Sequence, residues 1–463
     1  MKRYIQYIYI TFLLIGCSKD FIEKNPLDGA APGDFLDSKE AYRSALDGVY
    51  AVMKEELTAY NMSFLTVTES VSDNLLGTNE GFAFDGVDRD IYPLAYGSDA
   101  FQLEGLWRIS YQAIENANTI IREARGASNP DFAAYLGEAL ALRAYLHYNL
   151  YRLFAPAYVS DQEALAVPYR FETDALLDIK PRSTNKELIE YVLNDLEEAE
   201  RLATNEANSY RISLTAVRAL MGRIYHETGN YEQAVKYTEQ ALTDTRYKLV
   251  NTVEALEDEW YYDESDEIIF RIRFDDSEGN VNAAMFAIPI YFSYPFNAPQ
   301  ELLDLYDKDS DIRFPVYFGE NPLQPGAYFP KKYVGLRTVD EASFNPGTAD
   351  LKLIRVPELY LILAESYAKL SENTKAITAL NTLRTNRGIG AYESGSEPLL
   401  DAILKERRKE LVFEGFRFTD LKRLEQGFTR TDGSSMSPND TRYALPIPQL
   451  EIDRSGIEQN QGY

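Results

Sequence analysis

Apolar residues recur along most of this chain at the three-to-four-residue spacing of amphipathic helices. Between Asp37 and Leu57, one face collects Tyr42, Ala45, Leu46, Val49, Tyr50 and Met53, and Asp37 with Glu40 has the spacing of a capping box. The same period runs through Leu103–Glu123, Asp131–Phe154 and Asn185–Ala203, so these segments are expected to be helices packed around a shared core. In Ser213–Leu242, the residues Gly222, Tyr225, Gly229, Ala234 and Ala241 occupy the small and aromatic positions of a tetratricopeptide helix pair. Ala364, Tyr367, Ala376, Leu380 and Leu383 repeat nearly the same offsets within Pro357–Asn386. A continuous solenoid would repeat about every 34 residues. The two copies are much further apart, so the pairs are read as a scaffold that carries inserted segments.

Two regions break the helical period. Glu254–Asp350 is rich in Pro, Gly, Asn and aromatic residues, with alternating runs such as Ile268–Phe274 that suggest a strand or two. Thr58–Phe101 has the same character. Long irregular insertions on a rigid scaffold are where binding surface concentrates. The expected fold is therefore mainly α, a tetratricopeptide-like helical-pair scaffold with long irregular insertions and a few short strands.

The first residues read differently. Met1-Lys2-Arg3 precedes a short apolar run from Tyr4 to Ile15, then Gly16 and Cys17, which is the layout of a secretory signal and too short to span a bilayer. Leu14-Ile15-Gly16-Cys17 fits the bacterial lipobox, and Cys17 is the only cysteine, so it has no internal disulfide partner. We expect cleavage of residues 1–16, a covalent lipid on Cys17 and a polar tether over residues 17–36, followed by one helical domain over 37–463 with a loop-rich insertion at about 254–350. The net charge of −26 makes nucleic acid a poor partner for the body of the protein.

Catalytic constellations are sparse. The two histidines, His147 and His226, each lie inside an amphipathic helix, and neither belongs to a Cys/His metal set. No nucleophile elbow, phosphate-binding loop or dinucleotide fingerprint occurs. No cofactor is expected beyond the lipid. Glycoside hydrolysis needs only two carboxylates, and pairs such as Asp275–Asp276 or Asp309–Asp311 keep that alternative open. Aromatic residues make up 13% of the chain, with 34 Tyr and two Trp. A tyrosine can lay its flat face on a sugar ring and hydrogen-bond at the rim. Helix-borne tyrosines such as Tyr42, Tyr50, Tyr145, Tyr148, Tyr225 and Tyr367 are expected in the core, as is Trp107, which shares a face with Tyr111 and Ile114. The ligand-contact candidates are Asp73, Asn74, Phe82, Phe84, Tyr92, Tyr96, Tyr291, Tyr294 and Tyr328.

Three further segments carry a family pattern. Cys17–Pro26 leads into the helix bearing Ala45-Leu46-Asp47-Gly48-Val49-Tyr50. Glu138–Leu150 precedes Asn185–Ala203 and the first repeat. Glu406–Arg423 precedes Leu445-Pro446-Ile447-Pro448-Gln449-Leu450-Glu451-Ile452 and the closing Gln459-Asn460-Gln461-Gly462-Tyr463. In that order they resemble the SusD/RagB family of outer-membrane nutrient-binding lipoproteins. The resemblance implies an outward-facing lipid anchor in the outer membrane, a SusC-like TonB-dependent transporter as partner, and binding of an oligosaccharide, or in some branches a peptide, without cleavage. Where relatives often have Gly-Asp-x-Pro and Asn-Pro, this chain has Ala155-Pro156-Ala157-Tyr158-Val159 and Ser455-Gly456. Both sites are expected to be loops. Ligand residues lie in the variable insertions, so the resemblance supplies no site.

Overall fold

The computed structural model describes residues 36–54, 60–78, 91–127, 129–171, 179–205, 208–274, 294–337, 344–345 and 349–463. Helices dominate, in chain order α1 (Lys39–Met53), α2 (Tyr60–Ser70), α3 (Phe101–Gly126), α4 (Ala133–Phe154), α5 (Asn185–Leu202), α6 (Leu214–Glu227), α7 (Tyr231–Leu242) and α8 (Val253–Tyr261). After the insertion come α9 (Val356–Lys369), α10 (Asn373–Asn386), α11 (Leu399–Glu410), α12 (Arg417–Arg423) and α13 (Gln449–Ser455). Every helix expected from periodicity is present. Its boundaries follow from capping. At α1 the cap is Ser38, whose side chain accepts from the Ala41 amide at 3.2 Å, one residue later than the Asp37–Glu40 spacing suggested. At α5, Thr184 and Glu187 form a complete capping box. The Ser455-Gly456 departure ends α13: Gly456 adopts φ +68°, the left-handed cap that glycine provides without strain.

The helices stack as antiparallel neighbours, α3 on α4, α4 on α5, α5 on α6 and α6 on α7. The two tetratricopeptide pairs, α6–α7 and α9–α10, then pack directly on each other through α7 and α9, although more than a hundred residues separate them. The insertion interrupts the chain but not the stack. Close approach within the first pair depends on Gly222, where a Cβ would fall 2.4 Å from the Thr238 hydroxyl oxygen.

The strands are short and pair only in twos. β2 (Ile268–Ile272) and β8 (Leu351–Arg355) are antiparallel and close the base of the insertion, so the chain leaves the stack and re-enters it at one place. β1 (Leu76–Gly77) pairs with β3 (Phe296–Asn297), and β4 (Phe318–Glu320) with β5 (Tyr328–Pro330). β6 (Leu336–Arg337) pairs with β7 (Phe344–Asn345), and β9 (Phe428–Thr429) with β10 (Ser435–Met436).

Charged side chains sit inside this fold. Arg355, at the end of β8, donates to Glu414 at 2.8 Å, to Glu259 at 2.9 Å and to Glu267 at 3.2 Å. Arg387 at the end of α10 bridges Glu267 and Glu410, at 2.8 and 2.9 Å. Arg313 reaches Glu410 at 3.0 Å and Asp311 at 2.8 Å. All these groups are buried. The arrangement ties the insertion and the second helix pair to the Glu406–Arg423 segment.

Candidate functional site

The two irregular regions meet. In the β1–β3 ladder, Leu76 faces Asn297 and Gly77 faces Phe296. Just beyond it the Thr78 amide donates to the Pro295 carbonyl at 2.9 Å and its hydroxyl to the Tyr294 carbonyl at 2.6 Å. The Ala298 amide continues the platform by donating to the Tyr328 carbonyl at 2.7 Å. Gly77 is required here, because a Cβ would lie 2.7 Å from the Tyr92 ring. Residues flanking both insertions are thus brought side by side over a sequence separation of more than two hundred.

Most of the described ligand-contact candidates are nevertheless committed to the fold, which corrects their expected exposure. Tyr92, Tyr96 and Tyr294 are buried. Tyr92 donates its hydroxyl to Asp432 at 2.6 Å, beneath the Arg430 guanidinium 4.3 Å from the ring centre. Tyr96 donates to the Arg442 carbonyl at 3.3 Å and lies beside Tyr463. Tyr294 packs on Phe329, ring centres 4.9 Å apart. Their faces are covered because short two-stranded ladders in an irregular region still need an apolar side to bury. Asp73 takes two hydrogen bonds from Arg417, at 2.6 and 2.9 Å. Burial alone would raise its pKa, but Arg417 and Arg408 outweigh that and hold it at about 2. Asn74 donates to Glu69 at 2.9 Å and accepts from Arg408 at 3.0 Å. Tyr328 alone of the described set keeps a half-buried ring, edge-on to Phe314 with the Lys308 ammonium 4.8 Å away. Cys17, Phe82, Phe84 and Tyr291 lie outside the described residues.

The carboxylate pairs fare similarly. Asp311 is buried between Arg313 and Lys409, each at 2.8 Å; burial would raise its pKa, yet these cations hold it below the usual range, which makes it a poor general acid. Asp275 and Asp276 lie outside the described residues. His147 is buried and stacked on Tyr169 with ring centres 3.9 Å apart, and burial pushes its pKa down to about 3. No group of three or more His, Cys, Asp or Glu side chains among the described residues is placed to hold a metal ion.

A concave site lies elsewhere, between α3 and α13. The cavity measures about 330 Å³. Its floor is Trp107 and Tyr111, one turn apart on α3 with ring centres 5.0 Å apart. Trp107 is held from behind by the edge of Phe154 and donates its indole N–H to Glu451 at 3.3 Å, while Tyr111 donates to the Pro168 carbonyl at 2.8 Å. Arg108, Arg170, Ile179, Lys180, Leu450 and Arg454 complete the wall. The Gln449 amide donates to the Ser98 carbonyl at 2.8 Å and so docks α13 against the entry to α3. Trp107 and Ile114 are buried as expected, but Tyr111 borders open space. Sequence reading missed this site because its second wall arrives from about 340 residues downstream. The available signal was an aromatic pair one turn apart, flanked by Glu104 and Arg108 on a helix.

A stack of tetratricopeptide-type helix pairs with a stapled insertion and a concave aromatic site defines a helical-repeat binding scaffold. Comparisons with known proteins place it further. A SusD family model matches residues 319–463, a model described as starch-binding and associating with the outer membrane matches 20–226, and a tetratricopeptide repeat model matches 216–243. The chain belongs to the SusD/RagB family. Among its relatives, SusD-like protein P38 of Formosa agariphila is 26% identical and SusD-like protein P2 of the same organism 24% identical, each over the full length of both chains. A SusD superfamily protein from Bacteroides thetaiotaomicron shares the fold with a TM-score of 0.81 at 23% identity, covering 91% of this chain and 99% of that one. A SusD-like carbohydrate binding protein from Bacteroides vulgatus matches with a TM-score of 0.77 at 22% identity, covering 90% and 96%.

Proposed function

We propose that this protein captures oligosaccharide at the cell surface and passes it, uncleaved, to a SusC-like TonB-dependent transporter, while a lipid on Cys17 holds it to the outer membrane. The observation that carries the reading is the cavity between α3 and α13. Tyr111, half-buried and backed by the buried Trp107, offers an apolar face to the C–H side of a sugar, and the rim supplies charged and polar groups for the hydroxyls. Family membership, with its starch-binding and outer-membrane description, supports the same reading. The lipobox and the polar segment that follows it support the anchor. Tyr328 remains a second contact candidate, together with Phe82, Phe84 and Tyr291.

Affinity electrophoresis and calorimetry against a panel of polysaccharides test the binding. Binding to at least one glycan without release of shorter products is the expected result. Clear binding to peptides and to no glycan would move the protein to a peptide-binding role, and product release lost on replacing one carboxylate would make it a hydrolase. Replacing Cys17 with alanine should release the protein from the membrane fraction, and co-purification from detergent should recover a large β-barrel transporter.

A further inference from the structure

Four lysines are buried among the described residues, and three of them face a carboxylate. Lys332 pairs with Glu414 at 2.7 Å, Lys409 with Asp311 at 2.8 Å, and Lys352 with Asp263. Lys422 on α12, only 4% exposed, makes no such ion pair among the described residues. Its ammonium donates to the Arg152 and Ala155 carbonyls, at 2.7 and 2.8 Å, which caps the C-terminal end of α4 but leaves one of its N–H groups without an oxygen. A helix end offers about half a negative charge, so this buried cation stays under-compensated. Burial, the main cause, pushes its pKa down to about 7, while the charge of Glu227 on α6 draws it up and that of Arg152 on α4 pushes it further down. Glu227 is itself engaged by the Tyr148 hydroxyl, with the Arg152 guanidinium 3.9 Å away.

Lys422 also lines a cavity of about 190 Å³, formed by the loop after α4 and by the segments 439–444 and 460–461, apart from the site between α3 and α13. Its one lining carboxylate, Asp440, is already held by Arg442 at 2.9 and 2.7 Å. At the rim, Ser160 donates to Glu425 at 2.8 Å, whereas the exposed Asn439 and Gln461 side chains make no hydrogen bond to the described residues.

We propose that this cavity is a second binding site, for a small sugar acid whose carboxylate pairs with the Lys422 ammonium and whose hydroxyl groups bond the Asn439 and Gln461 amides. The bound carboxylate supplies to Lys422 what Glu414, Asp311 and Asp263 supply to the other buried lysines. A single ammonium is a point charge that suits one carboxylate, without the fork geometry that favours larger oxyanions. The cavity is smaller than the pockets of about 300 Å³ and upward that hold drug-sized ligands, which limits the occupant to about one ring. Pro156, Ala157 and Tyr443 give it an apolar wall for the C–H groups of that ring. The site stands apart from the oligosaccharide reading of the cavity between α3 and α13.

The test is calorimetry on the full-length protein in detergent, with D-galacturonate and D-glucuronate as acidic probes and D-galactose and D-glucose as their neutral counterparts. At about pH 6, one sugar acid should bind about tenfold or more tighter than its neutral counterpart. Affinity should fall as pH rises past about 7, because the carboxylate binds the protonated amine. At about pH 8, titrations in two buffers with different heats of ionisation should therefore show uptake of a substantial fraction of a proton. Lys422→Met should weaken binding about tenfold or more and abolish that uptake. Asn439→Gly combined with Gln461→Ala, both on exposed side chains, decides the matter even if Lys422→Met does not fold. This pair should weaken binding about threefold or more with an unchanged melting temperature, since glycine accepts the φ of +59° at Asn439. Equal binding of acidic and neutral sugars, no binding of either acid at about 10 mM, or binding without proton uptake would overturn the site. A lower melting temperature of Lys422→Met with no sugar-acid binding by the wild type would leave Lys422 as a cap of α4 only, and overturn it too. None of these results touches the oligosaccharide reading, which is judged on polysaccharides.

Discussion

At the scale of single residues, aromatic side chains divide by what lies on their two faces rather than by their place in the chain. Tyr294 comes from a stretch with no helical period, yet it is only 3% exposed and packed on Phe329. Tyr294→Ala should therefore cost about 3 kcal/mol of stability, seen as a lower urea midpoint, with any loss of ligand affinity following from that. Irregular sequence signals only an irregular backbone. Burial of Tyr294, Tyr92 and Tyr96 was illegible because their covering partners, Phe329, Arg430 and Arg442, are distant in sequence. His147 offers a titration test. It is buried and neutral, accepting from the Arg170 amide at 3.1 Å, and burial, helped by the charges of Arg143 and Arg170, brings its pKa from 6.5 down to about 3. The unfolded chain takes up a proton near pH 6.5 that the folded chain refuses until about pH 3, so this group withdraws stability as pH falls through that window. Relative to His147→Gln, the wild type should lose about 1.4 kcal/mol per pH unit between these limits, measured by urea denaturation at several pH values.

At the scale of elements, the stacking of α7 on α9 explains how a repeat survives a long insertion. Tyr367 on α9 donates its hydroxyl to Glu239 on α7, a bond between the two pairs. Glu239 is exposed, so Tyr367→Phe should cost only about 1 kcal/mol, read from the urea midpoint with the slope unchanged. The helices themselves were legible because the signal is local. A 3.6-residue period and a cap such as Ser38 act within a few residues, and the helix pairs announce themselves through small residues like Gly222. Which pairs become neighbours was not legible. That depends on the antiparallel β2–β8 ladder, whose strands lie on opposite sides of the insertion.

At the scale of the whole molecule, the buried ionic cluster makes the insertion and the C-terminal segment one body. Arg355 joins carboxylates on α8, just before β2, and just after α11, and none of them is open to water. Removing it leaves the buried Glu259 without a counter-charge and takes one of two cations from Glu267 and Glu414, which keep Arg387 and Lys332. Arg355→Ala should therefore lower stability by about 3 to 5 kcal/mol, and in a calorimetric scan the molecule should still melt as one transition at a lower temperature. The cavity between α3 and α13 belongs to this scale too, since α13 reaches it only after the chain has traversed the whole stack.

The sequence by itself determined the helical class, the tetratricopeptide pairs and the family pattern, because each is written in contiguous residues or in short fixed spacings. Tertiary structure alone decided which helix pairs stack, which tyrosines are walled in, and where Trp107 and Tyr111 meet Glu451 and Arg454. Burial and pocket shape are set by what arrives on the far side of a residue. In this chain the far side is commonly a hundred or more positions away.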